Sequence, residues 1–185
     1  MAEEDPDSIT HHGKTGKISI IVADDHPLFR QSISNVLQKQ PDFQVVAEAS
    51  DGEEAVKLAA ELQPDVVLMD ITMPRLDGLE ATRQIKASHP NIIVLVLTIH
   101  SDDQHIIEIL EAGAAGYLTK SVFGESVVQA VRGVVAGEMI LSPPIGERLL
   151  KQAARHPVKP VPLQAGEKLS LILLSCPRLC FQNIK

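Results

Sequence analysis

A doubly wound parallel α/β sheet is the fold this sequence predicts, and three observations predict it. Strand-length apolar runs alternate with helix-length amphipathic stretches five times between residues 17 and 137. Those runs are apolar almost throughout, as strands covered on both faces are. The palette is aliphatic: 44% of the chain is hydrophobic but only 3% aromatic, with no Trp and one tyrosine, Tyr117. Right-handed crossovers then restrict the topology to a sheet wound in both directions, with helices on both faces.

The elements follow in order. Ile18–Ala23 (ISIIVA) is a strand that ends in Asp24-Asp25. Pro27–Lys39 has helical spacing, with Leu28, Ile33, Val36 and Leu37 assigned to one side. Phe43–Ala49 is a strand, and Asp51–Leu62 is a helix with Asp51 as its start signal. Asp65–Met69 is a buried strand ending at Asp70, followed by a helix over Leu79–Ala87. Ile92–Leu97 is the strongest strand. Asp102–Glu111 is a helix closed by Gly113. Gly116–Thr119 is a short strand ending at Lys120, and Phe123–Val135 a helix ending near Gly137.

Outside this block, residues 1–16 read as a disordered polar leader. Residues 138–155 hold an extra helix over Pro143–Ala154, with proline at its start. Residues 156–168 are a Pro-rich linker, and 169–185 a short tail without periodicity. The formal net charge of −7 excludes a general nucleic-acid binder. Cys176 and Cys180, both near the end, make no disulfide framework or metal-ligand pattern. No signal peptide or membrane-length apolar run is present, so a cytoplasmic location is expected.

The chemistry lies at the strand ends. Ligands of open parallel sheets bind beyond the carboxyl ends of the strands. There the sequence places Asp24, Asp25, Asp70, Thr98 and Lys120. Three carboxylates together repel one another and are costly to desolvate. A divalent cation resolves that, and an all-oxygen site suits Mg²⁺. Lys120 adds a fixed positive charge and Thr98 a hydroxyl. The set suits a small anion attached to a carboxylate, because an aspartate can attack phosphorus and form an acyl phosphate.

Four stretches carry a family resemblance: Ile21–Arg30 (IVADDHPLFR), Val66–Gly78 (VVLMDITMPRLDG), Val94–Thr98 (VLVLT) and Glu111–Lys120 (EAGAAGYLTK). Together they resemble the receiver domain of two-component response regulators of the NarL/FixJ (LuxR-type) group. The resemblance implies a flavodoxin-like five-stranded sheet of order 2-1-3-4-5. It implies Asp70 as phospho-acceptor, Asp24 and Asp25 as the acidic Mg²⁺ pair, and a backbone carbonyl of Thr72 as a further metal ligand. Thr98 and Tyr117 resemble the switch pair, and Lys120 the phosphate-binding lysine. The implied partners are a sensor histidine kinase, a second copy on phosphorylation, and DNA through an output domain.

There are departures from the family pattern. Ser121 follows the lysine where many receivers have proline, so a trans bond is expected. Thr72 stands where Asn is frequent, and His100 lies two residues after Thr98. Both positions flank the phosphoryl group and should tune its lifetime. No helix-turn-helix follows the linker, which suggests a truncated or frameshifted descendant of a transcription factor.

Blander readings of single residues, and rival functions, compete with this one. Asp24-Asp25 alone could start a helix. His26 reads as a loop residue beside the pocket rather than a phospho-carrier, and His11-His12 as solvated leader. Gly13-Lys14-Thr15 lacks the earlier Gly and the strand of a phosphate-binding loop. An aspartate-nucleophile phosphatase would need an acid where Thr72 stands, so the chain is not expected to be an enzyme. A receiver-shaped interaction module that is never phosphorylated would not need all five pocket residues.

Overall fold

A computed structural model describes residues 16–99, 103–121, 124–143 and 145–147, with only the backbone for 103–105. The strands are β1 (Ile18–Ala23), β2 (Phe43–Ala49), β3 (Val66–Met69), β4 (Ile93–Thr98), β5 (Gly116–Thr119) and β6 (Ile140–Leu141). The helices are α1 (Pro27–Gln38), α2 (Gly52–Leu62), α3 (Gly78–Ser88), α4 (Asp103–Glu111) and α5 (Glu125–Val135). The sheet runs β2-β1-β3-β4-β5-β6, every pair parallel.

Strand periodicity divides the core in two. Ile21, Ala23, Val67, Met69, Val94, Val96 and Tyr117 pack on one face against Ala55, Ala59, Ala81, Ile85, Ile106 and Ile109 of α2, α3 and α4. Ile20, Val22, Val66, Leu68, Leu95, Leu97 and Leu118 pack on the other against Ile33, Leu37, Val127, Val128 and Val131 of α1 and α5. Both faces are thus dry, which is why these strands are written in aliphatic residues throughout.

Two expectations need correction. Among the described residues the sheet has six strands rather than five. Ile140 and Leu141, inside the stretch assigned to an extra helix, pair with Gly116 and Tyr117. Glycine at 116 permits it: a Cβ there would lie 2.5 Å from the Ile140 carbonyl oxygen. A two-residue strand leaves no period to read. Helical residues are found at 143 and 145–147, and the remainder of that expected helix, with the linker and tail, lies outside the described residues. Of the leader, only Gly16 is described.

Leu28 does not share the buried side of α1. It is 81% exposed, whereas Ile33 and Leu37 are buried. Five residues of helix turn a side chain about 140° away, so 28 and 33 face apart. Phe29 packs on that core cluster instead.

Caps fix the helix starts nearest the strand ends. Asp51 accepts from the Glu54 amide at 2.9 Å while Glu54 accepts from the Ser50 amide at 2.8 Å. Asp77 accepts from the Glu80 amide at 2.8 Å. Gly78 lets α3 begin directly against the β3 end. A Cβ there would overlap the Asp70 carbonyl and sit 2.9 Å from the Ile71 Cα. Among the described residues no helix is long and apolar enough to cross a membrane, and no peptide bond is cis, as expected for Lys120–Ser121.

Candidate functional site

The carboxyl ends of β1, β3, β4 and β5 meet at one edge of the sheet, tied by their own backbone. The Asp70 amide donates to the Ala23 carbonyl at 2.9 Å, and the Lys120 amide to the Thr98 carbonyl at 2.7 Å. The Asp24 amide donates to the Ala49 carbonyl at 3.0 Å. The side chains that leave these strands therefore have little choice of direction.

Asp24 and Asp70 are buried, at 2% and 3% exposure, and Asp25 is partly open. The Lys120 ammonium bridges the first two: Nζ lies 2.7 Å from Asp24 Oδ2 and 2.8 Å from Asp70 Oδ2. The Phe29 ring covers that ammonium, with its centroid 4.8 Å from Nζ. Asp70 Oδ1 accepts from the Ile71 amide at 2.8 Å. On the opposite side of Asp24, Oδ1 accepts from the His26 amide at 2.9 Å. Arg30 donates to the Asp24 carbonyl and pairs with Glu48 at 3.2 Å.

The electrostatics follow from burial. Desolvation pushes the Asp70 carboxyl above its ordinary value; Lys120 pulls it back, and the Asp24 charge adds to the rise. Burial opposes the charge on Lys120, but its hydrogen bonds to Asp24 and Asp70 prevail and raise it. Three carboxylates against one ammonium leave an excess of negative charge in a half-closed pocket. That donor set fits a divalent cation, and Asp24, Asp25, Asp70 and His26 can each present a ligand atom within 4.8 Å of the others.

Thr98 is fully buried at the end of β4 and pairs in register with Thr119. Tyr117 is fully buried in the core cluster shared with Ile106, Ile109 and Ile145. By strand alternation Thr98 and Tyr117 point to the same face, the one that α4 covers. Thr72 is exposed on the loop that follows Asp70. His100 lies outside the described residues.

The structure thus joins Asp24, Asp70 and Lys120 directly, brings Asp25 within 4.8 Å of both carboxylates, and sets Thr98 at the adjoining strand end. The sequence reading passed over Phe29 as the cover of Lys120, and it left His26 without a role. The available signal was position: His26 follows the acidic pair, and Phe29 falls one helical turn before Ile33.

Residues 20–132 match the family model of the response regulator receiver domain. The chain is 40% identical over 166 residues to the response regulator GacA of Pseudomonas viridiflava, covering 88% of this chain and 78% of that one. It is 42% identical over 139 residues to the transcriptional regulatory protein DegU of Brevibacillus brevis, covering 75% of this chain and 59% of that one. The solved structure of a LuxR-family two-component response regulator from an Aurantimonas species superposes with a TM-score of 0.71 at 36% identity, over 75% of this chain and 99% of that one. The chain belongs to the response regulator receiver family, with its relatives among the NarL/FixJ-type (LuxR) regulators of two-component systems.

Proposed function

We propose that Asp70 accepts a phosphoryl group from the phosphohistidine of a sensor kinase, and that the acyl phosphate switches the domain to regulate transcription. The observation that carries this is the Lys120 ammonium held within 2.8 Å of both Asp24 and Asp70 at converging strand ends. An Asp70 carboxylate oxygen attacks phosphorus, and an O–P bond forms as the N–P bond breaks. The electron pair leaves on the imidazole nitrogen. The ionised carboxylate is the nucleophile, so Lys120 works against the burial that would otherwise favour the protonated acid.

Asp24, Asp25, Asp70 and the Thr72 carbonyl would hold Mg²⁺, which when bound neutralises carboxylate and phosphoryl oxygens. Lys120 pairs the new phosphoryl charge, and Thr98 donates a hydroxyl to it. Thr98 moving toward the phosphoryl group changes the packing beside Tyr117 on the same sheet face. The α4–β5–α5 surface then shifts between two states. A second copy binds that altered surface, and transcription is reached through an output domain of the kind such regulators carry. Thr72 and His100 flank the phosphoryl position and set its lifetime. The work is cytoplasmic, where the kinase's phosphohistidine is made.

One spectroscopic probe is built in. Tyr117 is the only tyrosine and there is no Trp, so emission excited in the tyrosine band, beyond phenylalanine absorption, reports this residue alone. Beryllofluoride with Mg²⁺ mimics the acyl phosphate. Titrating it should change Tyr117 emission in the wild type and leave Asp70→Asn unchanged. An unchanged wild type would favour an interaction module that is never phosphorylated.

A further inference from the structure

We propose that His26 is an additional metal ligand of the acidic pocket, and that it tilts the site from Mg²⁺ toward ions that accept an imidazole nitrogen. The inference rests on the reading of the pocket as a cation site and goes beyond it by naming a donor the oxygen set lacks.

The geometry gathers an imidazole nitrogen and three carboxylates in one place. His26 Nδ1 lies 2.6 Å from Asp25 Oδ1 and 3.7 Å from Asp24 Oδ1. One ligand atom from each of Asp24, Asp25, His26 and Asp70 falls within 4.8 Å of the rest. A metal with bonds of about 2.1 Å holds neighbouring ligands about 3 Å apart and opposite ones about 4.2 Å apart. The 3.7 Å separation from Asp24 lies between those values, and the 2.6 Å contact with Asp25 is a hydrogen bond that an ion seated between the two atoms would replace.

The backbone presents the ring to this place. The His26 amide donates to Asp24 Oδ1 at 2.9 Å, and Pro27 opens α1 immediately after it. His26 occupies the N-cap position of α1 but makes no cap hydrogen bond; its ring turns instead to the acidic pair, hydrogen-bonding Asp25 at 2.6 Å. The pocket is also divided. Lys120 takes Oδ2 of Asp24 and of Asp70, while His26 takes the Oδ1 side of Asp24 and Asp25. The oxygens nearest the imidazole are therefore not the ones the ammonium holds.

Donor chemistry gives the consequence. Mg²⁺ is a hard ion that takes oxygen ligands and keeps its waters. Mn²⁺ takes the same oxygens and also accepts imidazole nitrogen, as do the later divalent ions more strongly. His26 thus adds a bond for Mn²⁺ that it does not add for Mg²⁺.

The test uses the full chain with Mn²⁺ and with Mg²⁺ as probes. Free Mn²⁺ is counted by its aqueous paramagnetic signal, Mg²⁺ affinity is read by competition, and nitrogen hyperfine coupling is recorded on bound Mn²⁺. Wild type should show nitrogen coupling that His26→Ala abolishes. The variant's Mn²⁺ affinity should fall about tenfold while Mg²⁺ affinity stays within about twofold. Equal losses for the two ions would overturn the proposal, because His26 would then only orient the Asp25 carboxylate. Coupling absent from wild type, or retained in the variant, overturns it equally. Failure of wild type to bind either ion would instead bring down the underlying reading of the pocket. A matching thermal melt of His26→Ala, whose side chain is 66% exposed in the wild type, separates these results from misfolding.

Discussion

Gly78→Ala should damage the fold and the site together. At this position α3 begins against the end of β3, with the Gly78 amide donating to the Ile71 carbonyl at 2.8 Å. The added Cβ would sit 2.8 Å from the Asp70 carbonyl carbon and 2.9 Å from the Ile71 Cα, and would overlap the carbonyl oxygen. All three neighbours are backbone, so no side chain can swing aside. Clearing the oxygen requires a shift of roughly 1 Å between α3 and the Asp70 segment. Overpacking of this kind costs about 2 to 3 kcal/mol. A 1 Å displacement at a reacting group costs about a hundredfold in rate. Urea unfolding would read the first quantity, and the initial rate of labelling by acetyl phosphate the second. Gly52→Ala is the control. Its Cβ meets the Leu76 carbonyl carbon at 2.9 Å, away from Asp70, so it should lose comparable stability but retain much more of the labelling rate. A Gly78→Ala protein with wild-type stability and wild-type labelling would refute the reasoning.

Three further outcomes are expected. Asp70→Asn should raise the melting temperature in chelator at neutral pH. A carboxyl whose folded pKa is raised burdens the fold once ionised, so the advantage of Asn should vanish as pH falls below the ordinary value of 3.8. Lys120→Met should cost about 3 kcal/mol in denaturant unfolding, because two buried carboxylates lose their shared cation. Arg132→Ala removes a two-pronged contact with Asp42 (2.9 and 3.0 Å) and stacking on Phe43, but both charged groups are over a third exposed. The loss should be about 0.5 to 1 kcal/mol. Asp42 is depressed by its bond to Arg132, so this contribution is present above pH 3.8 and fades as pH falls through the lower folded value.

What could be read in the sequence was what repeats or what is obligatory. β1, β2 and β5 have the limits expected of them, because aliphatic runs bounded by Asp, Gly and Lys permit few alternatives. Asp24, Asp25, Asp70, Thr98 and Lys120 were found together because each ends a strand, and strand ends of a parallel sheet share an edge. The remainder depended on packing. Ile140–Leu141 joins the sheet through the space that Gly116 leaves, a pairing over more than twenty residues of intervening chain that no local pattern encodes. Leu28 looked apolar enough for the core, yet the angle that helix α1 makes it take points it outward, and Phe29 takes the place over Lys120. His26 borders the pocket through a hydrogen bond of its own backbone to Asp24. Its meaning comes from the neighbouring carboxylates rather than from a motif.

The most direct test of the central claim is intact-mass measurement after acetyl phosphate and Mg²⁺, with the modified peptide mapped. Wild type should gain the mass of one phosphoryl group, acid-stable but labile to hydroxylamine as an acyl phosphate is, on the peptide that contains Asp70. Asp70→Asn should gain none. Equal labelling of the variant, or a phosphoryl group mapped to another residue, would contradict the account.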